Sequence, residues 1–174
     1  MPAVKPSALI CLALAAACAL PAAAREPGAH VHGAARLLVA VDGATLSLAL
    51  ESPLDSLIDF EHMPRTEREK SAVRTMAERL NKPGELFLPT PAARCAPVSV
   101  KLESPLLAAA GKSDGHADLD GEFVFRCERP DALREIDVRL FAVFPHLRRL
   151  DVEVASPRGQ SASRLAPQQT RVTW

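Results

Sequence analysis

Two of the five histidines stand one residue apart in "AHVHG", as His30 and His32. On an extended strand, residues i and i+2 project to one side with Cα atoms about 6–7 Å apart, so both imidazoles can turn onto one cation. Imidazole suits Zn, Cu or Ni, and such a pair needs one or two more ligands. H-x-H pairs also occur as plain exposed tails, so spacing alone leaves a solvated pair as the alternative. A second stretch, "GHADLDGEF", sets His116, Asp118, Asp120 and Glu122 at period two, opposite Leu119, Phe123 and Phe125. One imidazole and three carboxylates in line are zinc-ligand chemistry; an acidic wet face on a strand is the ordinary alternative. "DFEHMP" adds Glu61 and His62, a loop histidine ahead of a helix and a weaker candidate. His146, in "FPHLRR", sits among arginines that repel a cation and reads as structural. Copper is the poorer fit, because the chain after its leader has only Met63 and Met76, and His30 is sixth from Arg25.

The segments around these residues begin with a leader. Lys5 supplies a positive start, "ALICLALAAACAL" (residues 8–20) an apolar stretch, and "PAAA" (21–24) the small residues for cleavage, so residues 1–24 read as a secretory signal. Thirteen apolar residues are too few for a stable membrane span. "AAAC", ending at Cys18, faintly resembles a lipoprotein box, but Ala15 stands where leucine is usual. Removing 24 residues from 174 leaves 150, which reads as one domain over 25–174. The remaining charges, 20 basic and 21 acidic, argue against a nucleic-acid binder. No later run of 18 apolar residues exists, so no membrane association is expected after cleavage.

Cys95 and Cys127 remain after the leader, and an even pair in an oxidising compartment is most simply a disulfide. Two thiolate metal ligands are the rival reading, and they lack the close-spaced partners such sites use. "AARLLVAV" and "ATLSLALE" flank Asp42-Gly43, a type I′ hairpin signature. That turn would set Val39 opposite Leu46 and Leu37 opposite Leu48. The strand, if it runs back far enough, carries His30 and His32 on its wetter face. Residues 52–64 have no sustained period and read as a loop. Thr66 and Glu69 form a capping box ahead of the apolar stripe Ala72, Val73, Met76, Ala77 and Leu80, which predicts one amphipathic helix over about 67–81. Beyond it, Val98, Val100 and Leu102 alternate, as do residues near 119–127, 136–140 and 150–154, with Val172 and Trp174 closing the chain. Short alternating strands with one polar side predict an α+β fold of mostly antiparallel sheet packed with that helix.

No enzyme motif is visible: no Gly-rich phosphate cradle, no G-x-S-x-G and no H-E-x-x-H. The expectation is a protein that is not an enzyme. "AHVHGAARLLVAVDG", "LESPLDSLIDFEHMPRT", "GHADLDGEFVFRC", "LFAVFPHLRRLDVEV" and "SPRGQSASRL", taken in order, resemble the ZrgA family of periplasmic zinc-uptake proteins. The resemblance implies an exported protein that binds Zn²⁺ and assists the periplasmic component of a zinc ABC importer. The family's H-x-H-G falls on His30, His32 and Gly33, its F-E-H on Phe60, Glu61 and His62, and its H-A-D on His116, Ala117 and Asp118. Many members carry a His- and Asp-rich insertion before the last motif, where this chain has only "AAAGKSDG". That departure limits it to one or two sites and leaves a metal-free periplasmic interaction domain as the second reading. An apolar-ligand carrier ranks below both, because the apolar stripes are used up by core packing.

Overall fold

The computed structural model describes residues 31–108 and 117–174. His30 and His116, and the leader, lie outside the described residues. Nine strands run in chain order: β1 (Ala34–Asp42), β2 (Thr45–Pro53), β3 (Phe87–Pro89), β4 (Cys95–Glu103), β5 (Asp118–Cys127), β6 (Glu135–Val138), β7 (Arg149–Ser156), β8 (Gly159–Leu165) and β9 (Arg171–Thr173). Between them come α1 (Asp55–Ile58), α2 (Glu67–Leu80), α3 (Pro83–Leu86) and α4 (Leu140–Val143). The strands form a six-stranded sheet in the order β4-β5-β2-β1-β7-β8 and a three-stranded sheet in the order β3-β6-β9. Every pairing is antiparallel except β1 with β7. The α+β expectation is met, and the helix begins where the capping box placed it.

Alternation decides which face of the large sheet is dry. Leu37, Leu48, Leu50, Phe123, Phe125 and Val152 are buried along successive strands. The small sheet covers this face, and Phe87 of β3 packs on Phe123 of β5 with ring centroids 5.1 Å apart. Val73, Met76 and Leu80 of α2 join the same hydrophobic cluster. At the N-terminus of α2 the Thr66 hydroxyl accepts the Glu69 N–H at 3.2 Å, and the Glu69 carboxylate accepts the Thr66 N–H at 2.9 Å. The helix is anchored at its start by this reciprocal pair and along its length by burial.

Three local expectations are corrected. The hairpin between β1 and β2 turns on Gly43-Ala44, not Asp42-Gly43: Val41 faces Leu46, Val39 faces Leu48 and Leu37 faces Leu50. Gly43 takes φ +53° while Ala44 keeps a negative φ, the requirement of a II′ rather than a I′ turn. Moving the turn by one residue changes each partner by two, so the pleat parity and the buried face survive. Val98 leaves the alternation, because a register shift between Pro97 and Ser99 bulges it out of β4 to 59 % exposure. The stretch 52–64 is not wholly a loop: β2 continues to Pro53 and α1 follows, ended by Asp59 in the left-handed region at φ 71°.

A disulfide joins Cys95 and Cys127, which face one another across β4 and β5. The pairing expected from the even cysteine count is met, and it suits an oxidising compartment.

Candidate functional site

The mixed sheet order has one consequence for the histidine motifs. β2 lies between β1 and β5, and β7 runs parallel to β1. The start of β1, the end of β2, the start of β5 and the start of β7 therefore meet at one end of the sheet. His32 precedes β1 there and Asp118 opens β5 there, directly opposite Pro53. The Leu54 N–H donates to the Ala117 carbonyl at 2.9 Å, binding the H-A-D stretch to the chain that leads into α1.

His32 is not on a strand. It lies in a turn closed by the Ala34 N–H on the Val31 carbonyl at 3.0 Å, so the i, i+2 strand geometry anticipated for the histidine pair does not apply. The turn is held by Gly33, at φ +75°. Its N–H donates to the buried Ser56 hydroxyl at 3.0 Å, and its carbonyl accepts from the N–H groups of Arg148 and Arg149 at 2.7 and 2.9 Å. A Cβ at this position would sit 3.1 Å from the His146 carbonyl oxygen. Glycine is required both by the backbone angle and by the space. So fixed, the His32 Nδ1 meets an Asp55 carboxylate oxygen, with the imidazole 83 % exposed and the carboxylate largely covered. Sequence reasoning misses Asp55, because nothing in the spacing of residues 32 and 55 marks them as neighbours.

Beside this pair is a cleft of about 380 Å³ whose rim includes Val31, Pro53 and Asp118. One row of side chains crosses its floor. Register places Glu103, Asp120, Glu51, Arg36, Asp151 and Arg164 opposite one another on successive strands of the sheet. Neighbouring strands lie about 4.8 Å apart, so each charge feels the next. Most carboxylates of the row have cations: Lys101 for Glu103 at 2.9 Å, Arg36 for Glu51 at 3.5 Å, and Arg164 and Arg149 for Asp151 at 2.7 and 3.3 Å. Asp120 has no ion pair among the described residues. Although it is exposed, the flanking strands partly desolvate its carboxyl, and Glu51, Asp118, Glu103 and Glu122 add repulsion; together they raise its pKa above the usual aspartate value. A bound cation would relieve that repulsion.

His62 does not line this cleft. It follows α1 in the chain, its Nδ1 3.1 Å from the Met63 carbonyl, its Nε2 3.9 Å from Glu69, and its ring stacked on Phe60 at 5.2 Å. The Glu69 carboxyl is held below the usual glutamate range by the N–H groups of Thr66 and Arg65, with a smaller contribution from His62. His62 and His146 face a shared hollow of about 590 Å³, where the His146 Nδ1 is 3.4 Å from Asp59. The structure thus brings His32 and Asp118 to one end of the sheet and sets His62 apart. Among the described residues, no three His, Cys, Asp or Glu side chains come close enough together to hold a metal ion; His32 with Asp55 is a pair.

No curated protein matches the chain. A family model does, the one described as ZrgA family zinc uptake protein, over residues 29–174. The match takes in both histidine motifs, the F-E-H stretch and both cysteines.

Proposed function

This chain belongs to the ZrgA family of zinc uptake proteins, and on that premise we propose that it is a periplasmic zinc-binding accessory protein that captures Zn²⁺ at the sheet-end cleft and passes it to the periplasmic component of a zinc ABC importer. It turns over no substrate in this role; zinc is its cargo. The observation that carries the reading is the hydrogen bond from Leu54 to Ala117, which sets the H-A-D stretch beside the helix whose Asp55 meets His32. His30, two residues before His32, and His116, next to Ala117, are the further imidazoles of the set, and Asp118 is its carboxylate. His62, set apart from the cleft, is a lesser contributor.

The two parts of the cleft divide the work. The carboxylates Asp118, Asp120 and Glu51 draw a divalent cation to the sheet end by field. The imidazoles, borderline ligands suited to Zn²⁺, then select it. Hand-over needs ligands that a partner can replace one at a time, and a largely exposed His32 fits that need. Imidazoles must be neutral to ligate, so affinity falls as pH drops through about 6.5. The secretory leader and the disulfide between Cys95 and Cys127 support an oxidising, extracytoplasmic setting.

The test is a zinc titration of the mature domain against a competing chromophoric chelator, run beside His30→Ala/His32→Ala and His116→Ala. One zinc at sub-micromolar affinity, lost in both variants, supports a single site closed by the two motifs. Zinc held equally by wild type and both variants places the metal elsewhere and overturns the site. A wild type that holds zinc no better than its denatured form overturns the metal reading and leaves the metal-free interaction domain.

A further inference from the structure

A groove of about 660 Å³ runs along α2 and is bordered by Leu57 and Ile58 of α1. Its floor is apolar, from Ile58, Ala72, Met76 and Val143. Arg68 and Arg79 stand on its α2 wall, eleven residues apart. Eleven residues are close to three whole turns, so the two guanidinium groups share one helix face about 16 Å apart along the axis. Ser71 and Thr75 lie between them on the same wall and offer hydroxyls. No aspartate or glutamate lines the groove. Neither arginine makes an ion pair or a side-chain hydrogen bond among the described residues. In a chain whose acidic and basic residues balance at 21 each, two cations left unpaired over an apolar floor are a local imbalance.

The geometry points to this groove as a docking site for a partner peptide that is acidic at both ends and apolar between. An extended chain advances about 3.3 Å per residue and alternates its side chains, so carboxylates four or six residues apart project to one side within reach of both arginines, while apolar side chains between them settle on the floor. The bracketing arginines set orientation and association rate, and the apolar contacts supply holding energy. The concave shape with charge confined to one wall favours a peptide over a flat anionic membrane. The site does not depend on zinc, and its occupant need not be the importer component.

The experiment is a selection from a random decapeptide display library on the full mature domain without metal. Recovered peptides are then measured by fluorescence anisotropy against wild type, Arg68→Glu/Arg79→Glu and the cleft variant Asp118→Asn. The result expected is enrichment of peptides with Asp or Glu four or six residues apart around apolar residues. Their affinity should fall at least about tenfold in the double arginine variant, weaken with salt, and stand unchanged in Asp118→Asn. Both arginines are exposed on a solvent-facing wall, and an unchanged thermal midpoint in the variant excludes a folding defect. Three results overturn the inference: no acidic enrichment, binding indifferent to the arginine reversal, or arginine-dependent capture of anionic phosphatidylglycerol vesicles in place of any peptide. Because the selection is done without zinc, failure of the metal reading leaves this result standing, and the reverse.

Discussion

The sheet-end cleft and the α2 groove both lie near the four-residue helix α1, yet different rules make them. The cleft comes from strand order. Its charges are on four strands, β1, β2, β5 and β7, and they meet only because β2 is inserted between β1 and β5. The groove comes from helical period, since Arg68, Ala72, Thr75 and Arg79 share a face by local geometry alone. The cleft is lined by four carboxylates together with Arg36 and Arg149, beside the His32–Asp55 pair; the groove sets Arg68 and Arg79 over aliphatic carbon, with His146 among its lining. Electrostatic placement by sheet register tolerates like charges side by side, and Asp120 bears the cost in its raised pKa. Placement by a helix keeps equal charges turns apart, and neither arginine of the groove meets another cation there.

The sharpest way to separate stability from the cleft is to remove the disulfide. Cys95 and Cys127 are at the far end of β5 from Asp118. With the cysteines 32 positions apart in sequence, Cys95→Ser/Cys127→Ser should cost roughly 3–4 kcal/mol on the chain-entropy model. Chemical denaturation would show that loss, while the zinc affinity of the still-folded fraction should stay within about twofold, as expected for sites far apart. A parallel loss of zinc would mean that the two ends of β5 respond as one unit. Gly33→Ala comes next. The backbone angle and the His146 carbonyl both oppose a Cβ, for about 1–3 kcal/mol, and the displaced turn should weaken zinc binding in the chelator titration while leaving peptide capture intact.

Thr66→Ala acts on the other side. Losing the N-cap of α2 should cost about 1 kcal/mol, seen as a lower thermal midpoint, and frayed Arg68 should weaken acidic-peptide binding but not zinc. Asp120→Asn is the smallest change and has the opposite sign. A carboxyl whose folded pKa is raised favours its protonated form in the folded state, so the ionised group opposes folding above that pKa. The variant should therefore raise the thermal midpoint near pH 7. The gain should vanish as pH falls below the ordinary aspartate value of about 3.9. The same change should lower zinc affinity a few-fold. A variant less stable at pH 7 would show that the row at the cleft floor is not repulsive.

Much of this is legible from the chain. Leu37, Leu48, Phe123 and Val152 declare the dry face by alternation, and Thr66 with Glu69 marks the start of α2, because each depends only on nearby residues. The Asp42-Gly43 turn misleads by one position, since Gly43 serves the first place of a II′ turn as well as the second of a I′. Asp55 and the charged row are invisible, because strand order is set by packing between distant segments. Periodicity puts His32 on a strand, and the hydrogen bonds that hold Gly33 to Ser56, Arg148 and Arg149 put it in a turn instead. The resemblance to the zinc-uptake family names the motifs that converge, but the insertion of β2 between them is what brings His32 and Asp118 to one end.

The helix α1 has a further consequence. Within one turn, Asp55 meets His32 and Ser56 holds Gly33, while Ile58 forms part of the groove floor and Asp59, just beyond, faces His146. One short helix therefore touches both the turn that carries His32 and the groove. An occupant of the groove that shifted α1 would carry Asp55 and Ser56 with it, and only in that case would a cation at His32 and the occupant alter each other's affinity, by the same factor. On the proposed function, arrival of a partner in the groove and release of zinc from the cleft would then be one equilibrium read from its two ends.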